Sequence, residues 1–347
     1  MTSPAVGERG VLLDIVRKYF SPEWIGQLII QMSSLGLNAL HLHLSEGPGF
    51  RVECRSHPEI TSEQHLTRAE VRELCDLGRR SGVAVNPGVD SPAHLDHILQ
   101  FHPDLQLVAA DGTRHPGHLD FSKPAARELM RDLVEEMCLL FGGPVVHLGG
   151  DEFFPAPWQG TGPDVVTDAA VPQLGAYARE VTGQEEATAL DGYRHHLNEL
   201  AALVRSHGKR ARIFNDDVHP GRGVHPIDPR TEIDEWVRWN DSLPSVLDHL
   251  AAGHQVVNGN GDHLYFILTE DGVGQGPYKS PTSIRQRWTP RTFPGLAGSA
   301  GDIVLPDEVP IIGAHLSVWC DAPDVLTEQE VAVQLQPWLE AFAERTR

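Results

Sequence analysis

Short apolar runs recur along the chain, separated by stretches in which apolar residues return every three or four positions. Residues 11–15 precede an amphipathic stretch at 22–35, and residues 39–44 precede one at 68–80. The runs at 83–87 and 145–148 flank another at 125–141. Beyond these, 193–207 leads into 211–214, followed by a run at 233–236. Then 243–252 leads into 255–257, and 311–318 precedes a closing helical stretch at 328–344. Continuous apolar runs of four to eight residues read as buried strands, and their alternation with helical periodicity predicts parallel β/α units. About eight such steps predict an α/β protein of the (β/α)8 TIM-barrel class, with one catalytic domain over residues 1–347. Ser21-Pro22-Glu23 and Ser122-Lys123-Pro124 each place a hydroxyl just before a first-turn proline, which predicts two helix starts. The loops at 46–49, 153–162 and 271–291 are rich in Gly, Pro and His and fall where a barrel keeps its active site.

Charge narrows the partners. With 28 basic and 48 acidic side chains the formal charge is −20, a field that repels nucleic acid and anionic lipid. The four cysteines, Cys54, Cys75, Cys138 and Cys320, form no C-x-x-C pair and predict neither a zinc knuckle nor a redox dithiol. The histidines lack a compact spacing such as H-E-x-x-H, so no metal and no cofactor is expected. Residues 1–10 lack the basic and apolar regions of a secretory signal, and no apolar run approaches a membrane span. A cytoplasmic protein is expected, or a secreted one if a leader has been removed. The oligomeric state stays open, a homo-oligomer included.

The chemistry concentrates in His147-Leu148-Gly149-Gly150-Asp151-Glu152, where an apolar strand ends in two glycines and two carboxylates. Neighbouring side chains on a regular strand point to opposite faces. Two consecutive acids share one pocket only where the backbone turns, and the glycines permit that turn. The plain alternative is a solvated acidic turn capping the next helix. Other strands also end in polar or aromatic residues: Arg17, His41 and His43, Asp90 with His94, Asn215-Asp216, Trp236, Tyr265, and Trp319 with Asp321. Polar groups recurring at one barrel end predict a site assembled from several loops.

Leu13-Asp14-Ile15-Val16-Arg17, His41-Leu42-His43-Leu44, Asp90-Ser91-Pro92-Ala93-His94, the 147–152 run and Ser317-Val318-Trp319 occur in an order and spacing that resembles family 20 glycoside hydrolases, the β-N-acetylhexosaminidases. The resemblance spans roughly residues 9–344 and is closest in build to members made of the barrel alone. It implies exo-acting, retaining removal of terminal β-linked GlcNAc or GalNAc, in which the substrate's acetamide is the nucleophile and an oxazolinium ion the intermediate. It implies that Glu152 is the general acid and then base, its pKa raised, while Asp151 stays ionised and holds the acetamide. Trp236, Tyr265 and Trp319 would box the acetamido methyl, and Arg17 and Asp321 would bind sugar hydroxyls. Asp90 and His94 would relay behind the acid, with His147, Glu46, Asn215 and Asp216 in support.

Three positions depart from the family pattern. Glu46 stands where Asp is usual, Asp321 replaces the Glu of Trp-x-Glu, and Phe214 replaces a Trp before Asn215-Asp216. The shorter Asp321 keeps a disaccharide-releasing, lacto-N-biosidase-like enzyme as an alternative. A catalytically silent glycan-binding barrel is a second alternative, opposed by retention of both acids.

Overall fold

The computed structural model describes residues 6–154, 168–274, 278–296 and 301–347. The expected loop at 153–162 and the one at 271–291 fall partly outside these residues. Parallel strands Glu8–Asp14, Ala39–His43, Ala84–Ser91, Val145–Gly149, Arg210–Phe214, Glu232–Glu235 and Val256–Asn258 pair in that order. The last strand, Gly313–Trp319, pairs with Val256–Asn258 on one side and with Glu8–Asp14 on the other, which closes the barrel. The seventh stave is split. Tyr265–Thr269 continues alongside the upper half of Gly313–Trp319, where Tyr265 lies opposite Ser317. Tyr265 thus begins a second strand piece rather than ending a strand, because residues 259–264 leave the sheet and return.

The helices lie outside the strands and bury one stripe each. Pro22–Leu35 buries Ile25, Leu28, Ile29 and Met32 and is capped by Ser21, whose hydroxyl accepts from the Trp24 N–H at 3.3 Å. Arg68–Ser81 begins with a reciprocal capping box between Thr67 and Glu70. The second expected hydroxyl cap is absent: helix Pro124–Leu140 starts after Lys123 with no side-chain cap. Ser122 instead donates to Asp120 Oδ1 at 2.5 Å, which occupies the hydroxyl. Helix Pro172–Thr182 was not expected. Its buried Leu174, Tyr177 and Ala178 carry the helical spacing, but the segment starts at apolar Val171 without a polar cap.

The floor of the barrel is charged rather than aliphatic. Buried Arg212 donates to Glu8 (2.7 and 2.8 Å) and to Glu232 (3.0 and 2.8 Å), and His41 meets Glu8 at 3.0 Å. Asp234 sits between His315 (2.8 Å) and His147 (3.5 Å). Burial alone would raise the Glu8 pKa, but Arg212 and His41 hold it well below the usual carboxylate range. Hydrogen-bonded pairing keeps these charges tolerable in a dry interior. Above this layer the strands deliver their C-terminal residues to a single mouth.

Candidate active site

The site grows from how each strand ends. Strand Glu8–Asp14 stops at Asp14, whose Oδ1 accepts from the N–H groups of Val16 and Arg17 at 2.9 and 3.0 Å. That turn lifts Arg17 over the mouth, where its guanidinium donates to Asp14 (2.9 Å) and to Glu46 (2.8 Å) and lies 5.6 Å from the Trp319 ring centre. Strand Val145–Gly149 ends in two left-handed glycines, Gly149 at φ 69° and Gly150 at φ 86°. A Cβ on Gly149 would meet Asp90 Cα at 2.8 Å, so only glycine fits there. Glu152 is itself left-handed at φ 52°, which completes the reversal.

The consequence is convergence. Asp151 Oδ2 and Glu152 Oε2 each lie 3.5 Å from His94 Nε2, so the consecutive acids share one imidazole. The opposite His94 nitrogen, Nδ1, meets Glu46 Oε1 at 3.0 Å. Asp90 does not touch His94; it faces His43 at 3.5 Å instead. The longer arm of Glu46 reaches His94 Nδ1 and so takes the position a relay from Asp90 would need. Glu46 thereby joins Arg17 to His94 through one carboxylate.

Asp216 fixes two parts at once. Its carboxylate accepts from the Glu152 N–H at 2.8 Å and from Trp236 Nε1 at 3.0 Å. Asn215 holds the Trp236 backbone, accepting from the Trp236 N–H at 3.0 Å and donating to the Val237 carbonyl at 2.7 Å. The Trp236 and Tyr265 rings are parallel to within 5° with centres 6.0 Å apart, and Trp319 stands at 61° to Tyr265, also at 6.0 Å. Phe214 packs beneath, against His147 at 4.3 Å and Trp236 at 6.1 Å. His147 lies in the barrel interior, below the pocket wall.

A cavity of about 470 Å³ is lined by Arg17, Glu46, His94, Asp151, Glu152 and the aromatic residues Trp236, Tyr265 and Trp319. Its size suits a sugar, and aromatic walls with a few convergent polar groups are the usual make-up of such sites. Asp321 stands at the rim with its side chain 57 % exposed, 3.9 Å from Arg17 Nε. Three lining residues carry no sequence motif: Trp239, Ile267 and Lys279. Trp239 meets Trp236 edge-on at 5.1 Å, and its sequence signal is the W-x-x-W spacing. Asp217 was also unforeseen; buried, it accepts from the N–H groups of Phe153 and Phe154 at 3.1 Å and anchors the turn after the acids.

Burial and neighbouring carboxylates shape the electrostatics. Burial, with help from Asp216 and Glu46, lifts the Glu152 pKa to about 7, against the opposing pull of His94. Asp151 is pushed well above the usual range by burial and by Asp90, Asp216 and Glu152. The two acids are therefore both raised rather than driven apart. Burial disfavours a charged His94, yet Asp151 and Glu46 outweigh it and raise its pKa well above that of a free imidazole. His43 behaves alike: Asp90 and Glu46 overcome its burial and carry it to about 9. One oxygen of Asp151, Oδ1, is buried with no hydrogen-bond donor among the described residues.

Adjacent carboxyls in an aromatic-walled pocket at the mouth of a β/α barrel are the equipment of a glycoside hydrolase. The chain matches the model "Glycosyl hydrolase family 20, catalytic domain" over residues 8–346 and belongs to that family. It is 25 % identical to a lacto-N-biosidase of Bifidobacterium bifidum over 96 % of this chain and 28 % of that protein. It is 26 % identical to a β-N-acetylhexosaminidase of Cellulomonas fimi over 98 % of this chain and 63 % of that protein. The chain thus spans less than two thirds of these relatives. Crystalline dispersin B superposes with a TM-score of 0.75 at 19 % identity, covering 98 % of this chain and 99 % of that one.

Proposed function

We propose that this barrel is an exo-acting, retaining β-N-acetylhexosaminidase working by substrate assistance. One observation carries the reading: consecutive Asp151 and Glu152 reach the same pocket, against His94, beside the Trp236, Tyr265 and Trp319 walls. The terminal sugar's acetamide carbonyl oxygen attacks the anomeric carbon as the glycosidic C–O bond breaks. Glu152, protonated because its pKa is raised to about 7, gives its proton to the leaving oxygen. Asp151 Oδ1 accepts from the acetamide N–H, and the positive charge that grows on the oxazolinium ring favours the ionised carboxylate. Glu152, now a carboxylate, takes a proton from water as that water opens the intermediate at the anomeric carbon, which restores both configuration and enzyme. The aromatic walls hold the acetamide in line for attack, and Arg17 donates to ring hydroxyls.

Asp321 favours a second reading. It is short, half-exposed and 3.9 Å from Arg17, which fits a pocket left open at the sugar's non-reducing end. An opening there suits release of a disaccharide, the activity named for the B. bifidum relative. The test compares a β-linked GlcNAc disaccharide with a β-lacto-N-bioside, using wild type and Glu152→Gln. Hydrolysis of the first substrate, with turnover on it lost in the variant but sugar binding kept, is the expected result. Cleavage of the lacto-N-bioside alone selects the second reading, and full activity in Glu152→Gln removes Glu152 as the acid.

A further inference from the structure

We infer that His57, Glu59 and His102 form a binding site for a late first-row divalent metal ion, remote from the sugar pocket. Glu59 lies in the short turn Pro58–Ile60, His57 precedes that turn, and His102 ends helix Asp96–Phe101. One ligand atom from each of the three residues lies within 4.8 Å of the others. Glu59 Oε1 is 3.4 Å from His57 Nδ1 and 3.0 Å from His102 Nε2. A tetrahedral zinc with bonds of about 2.0–2.1 Å holds its ligand atoms roughly 3.4 Å apart, close to the two distances from Glu59, and binding would draw the two imidazole nitrogens to the same spacing.

Among the described residues His102 Nε2 has no hydrogen-bond partner and is shielded from solvent, although Glu59 is beside it. His57 uses its other nitrogen, Nε2, toward Asp132 Oδ2 at 3.2 Å. A carboxylate only accepts, so Nε2 donates to Asp132, and Nδ1 faces Glu59 either with a second proton or with a metal ion in that proton's place. The Asp132–His57 pair also has the form of the outer-shell carboxylate that orients a metal-bound imidazole. Two imidazoles and one carboxylate suit zinc and its neighbours, not magnesium or calcium. Glu59 is 40 % exposed, which leaves water to complete the coordination.

The ion would serve as a clamp. His57 and Glu59 belong to the excursion that starts at Glu46, and His102 to the one that starts at His94. These two loops are already joined where His97 Nε2 donates to the Ile60 carbonyl at 2.7 Å. No compact motif betrays the site, since its ligands come from two loops, Glu59 and His102 being 43 positions apart.

The test strips the whole protein with a chelator and titrates it with Zn²⁺ by calorimetry, with Mg²⁺ in excess. One equivalent is expected, accompanied by a rise in melting temperature. Loss of that equivalent in His102→Ala and Glu59→Gln, and binding about 10–100-fold weaker in Asp132→Asn, are the further expected results. Should His102→Ala not fold, His102→Gln gives the same reading. Absence of stoichiometric Zn²⁺ binding, or binding unaltered by these substitutions, overturns the site, and in that case the trio is only a salt-bridged turn. Neither outcome depends on which sugar the pocket cleaves.

Discussion

His94→Asn isolates the charge at the heart of the pocket. The replacement suits the backbone, because His94 sits at φ 59° and asparagine is among the residues that tolerate the left-handed region. It removes a cation 3.5 Å from Glu152 and from Asp151. At an effective dielectric near 20, a pair at that separation is worth about 4.7 kcal/mol, or roughly 3.5 pH units. Glu152 is about a fifth exposed, and screening by water brings the expected rise in its pKa to ~1–2 units. The sign follows from the reaction: the acid form of Glu152 is needed, so wild-type kcat/KM falls as the pH rises through its pKa of about 7, while the need for an ionised Asp151 gives a separate limb on the acid side. In the variant that falling limb moves to higher pH. Turnover drops at the same time, because Asp151 loses the cation that favours its ionised form. The assay is a pH profile on a GlcNAc disaccharide, whose poor leaving group depends on the acid; a nitrophenyl glycoside would hide the effect. A limb that stays in place or moves to lower pH while turnover falls would refute this reading and leave His94 a purely structural residue.

Other substitutions probe the scaffold. Arg212→Met strands Glu8 and Glu232 in the barrel floor, and loss of about 3–5 kcal/mol of stability is expected in denaturant unfolding. An unchanged midpoint would mean that the floor is wet. Gly149→Ala forces a Cβ onto a residue at φ 69° and against Asp90 Cα, at a cost of about 1–2 kcal/mol for the dihedral alone. A kcat/KM loss of more than tenfold is expected as the turn carrying the two acids shifts, and near-normal kinetics would show that the turn tolerates a β-carbon.

The barrel and the centre of its site were legible in the order of residues alone. The alternation of apolar runs with helical periodicity reports burial, which acts locally, so helix Pro22–Leu35 and most strands fall within a few residues of expectation. The Gly149-Gly150-Asp151-Glu152 turn was legible because unusual backbone demands unusual residues. Tertiary structure alone decided the rest. Glu8, Arg212 and Glu232 belong to no motif, and only the pairing of three separate strands brings them together in the floor. Lys279 and Ile267 reach the pocket from segments without a motif. The raised pKa values of Asp151 and Glu152 depend on carboxylates contributed by four different strand ends. Periodicity records which face of an element is buried; which charges then become neighbours is set by closure of the barrel, since an electrostatic field depends on distances in space and not on order along the chain.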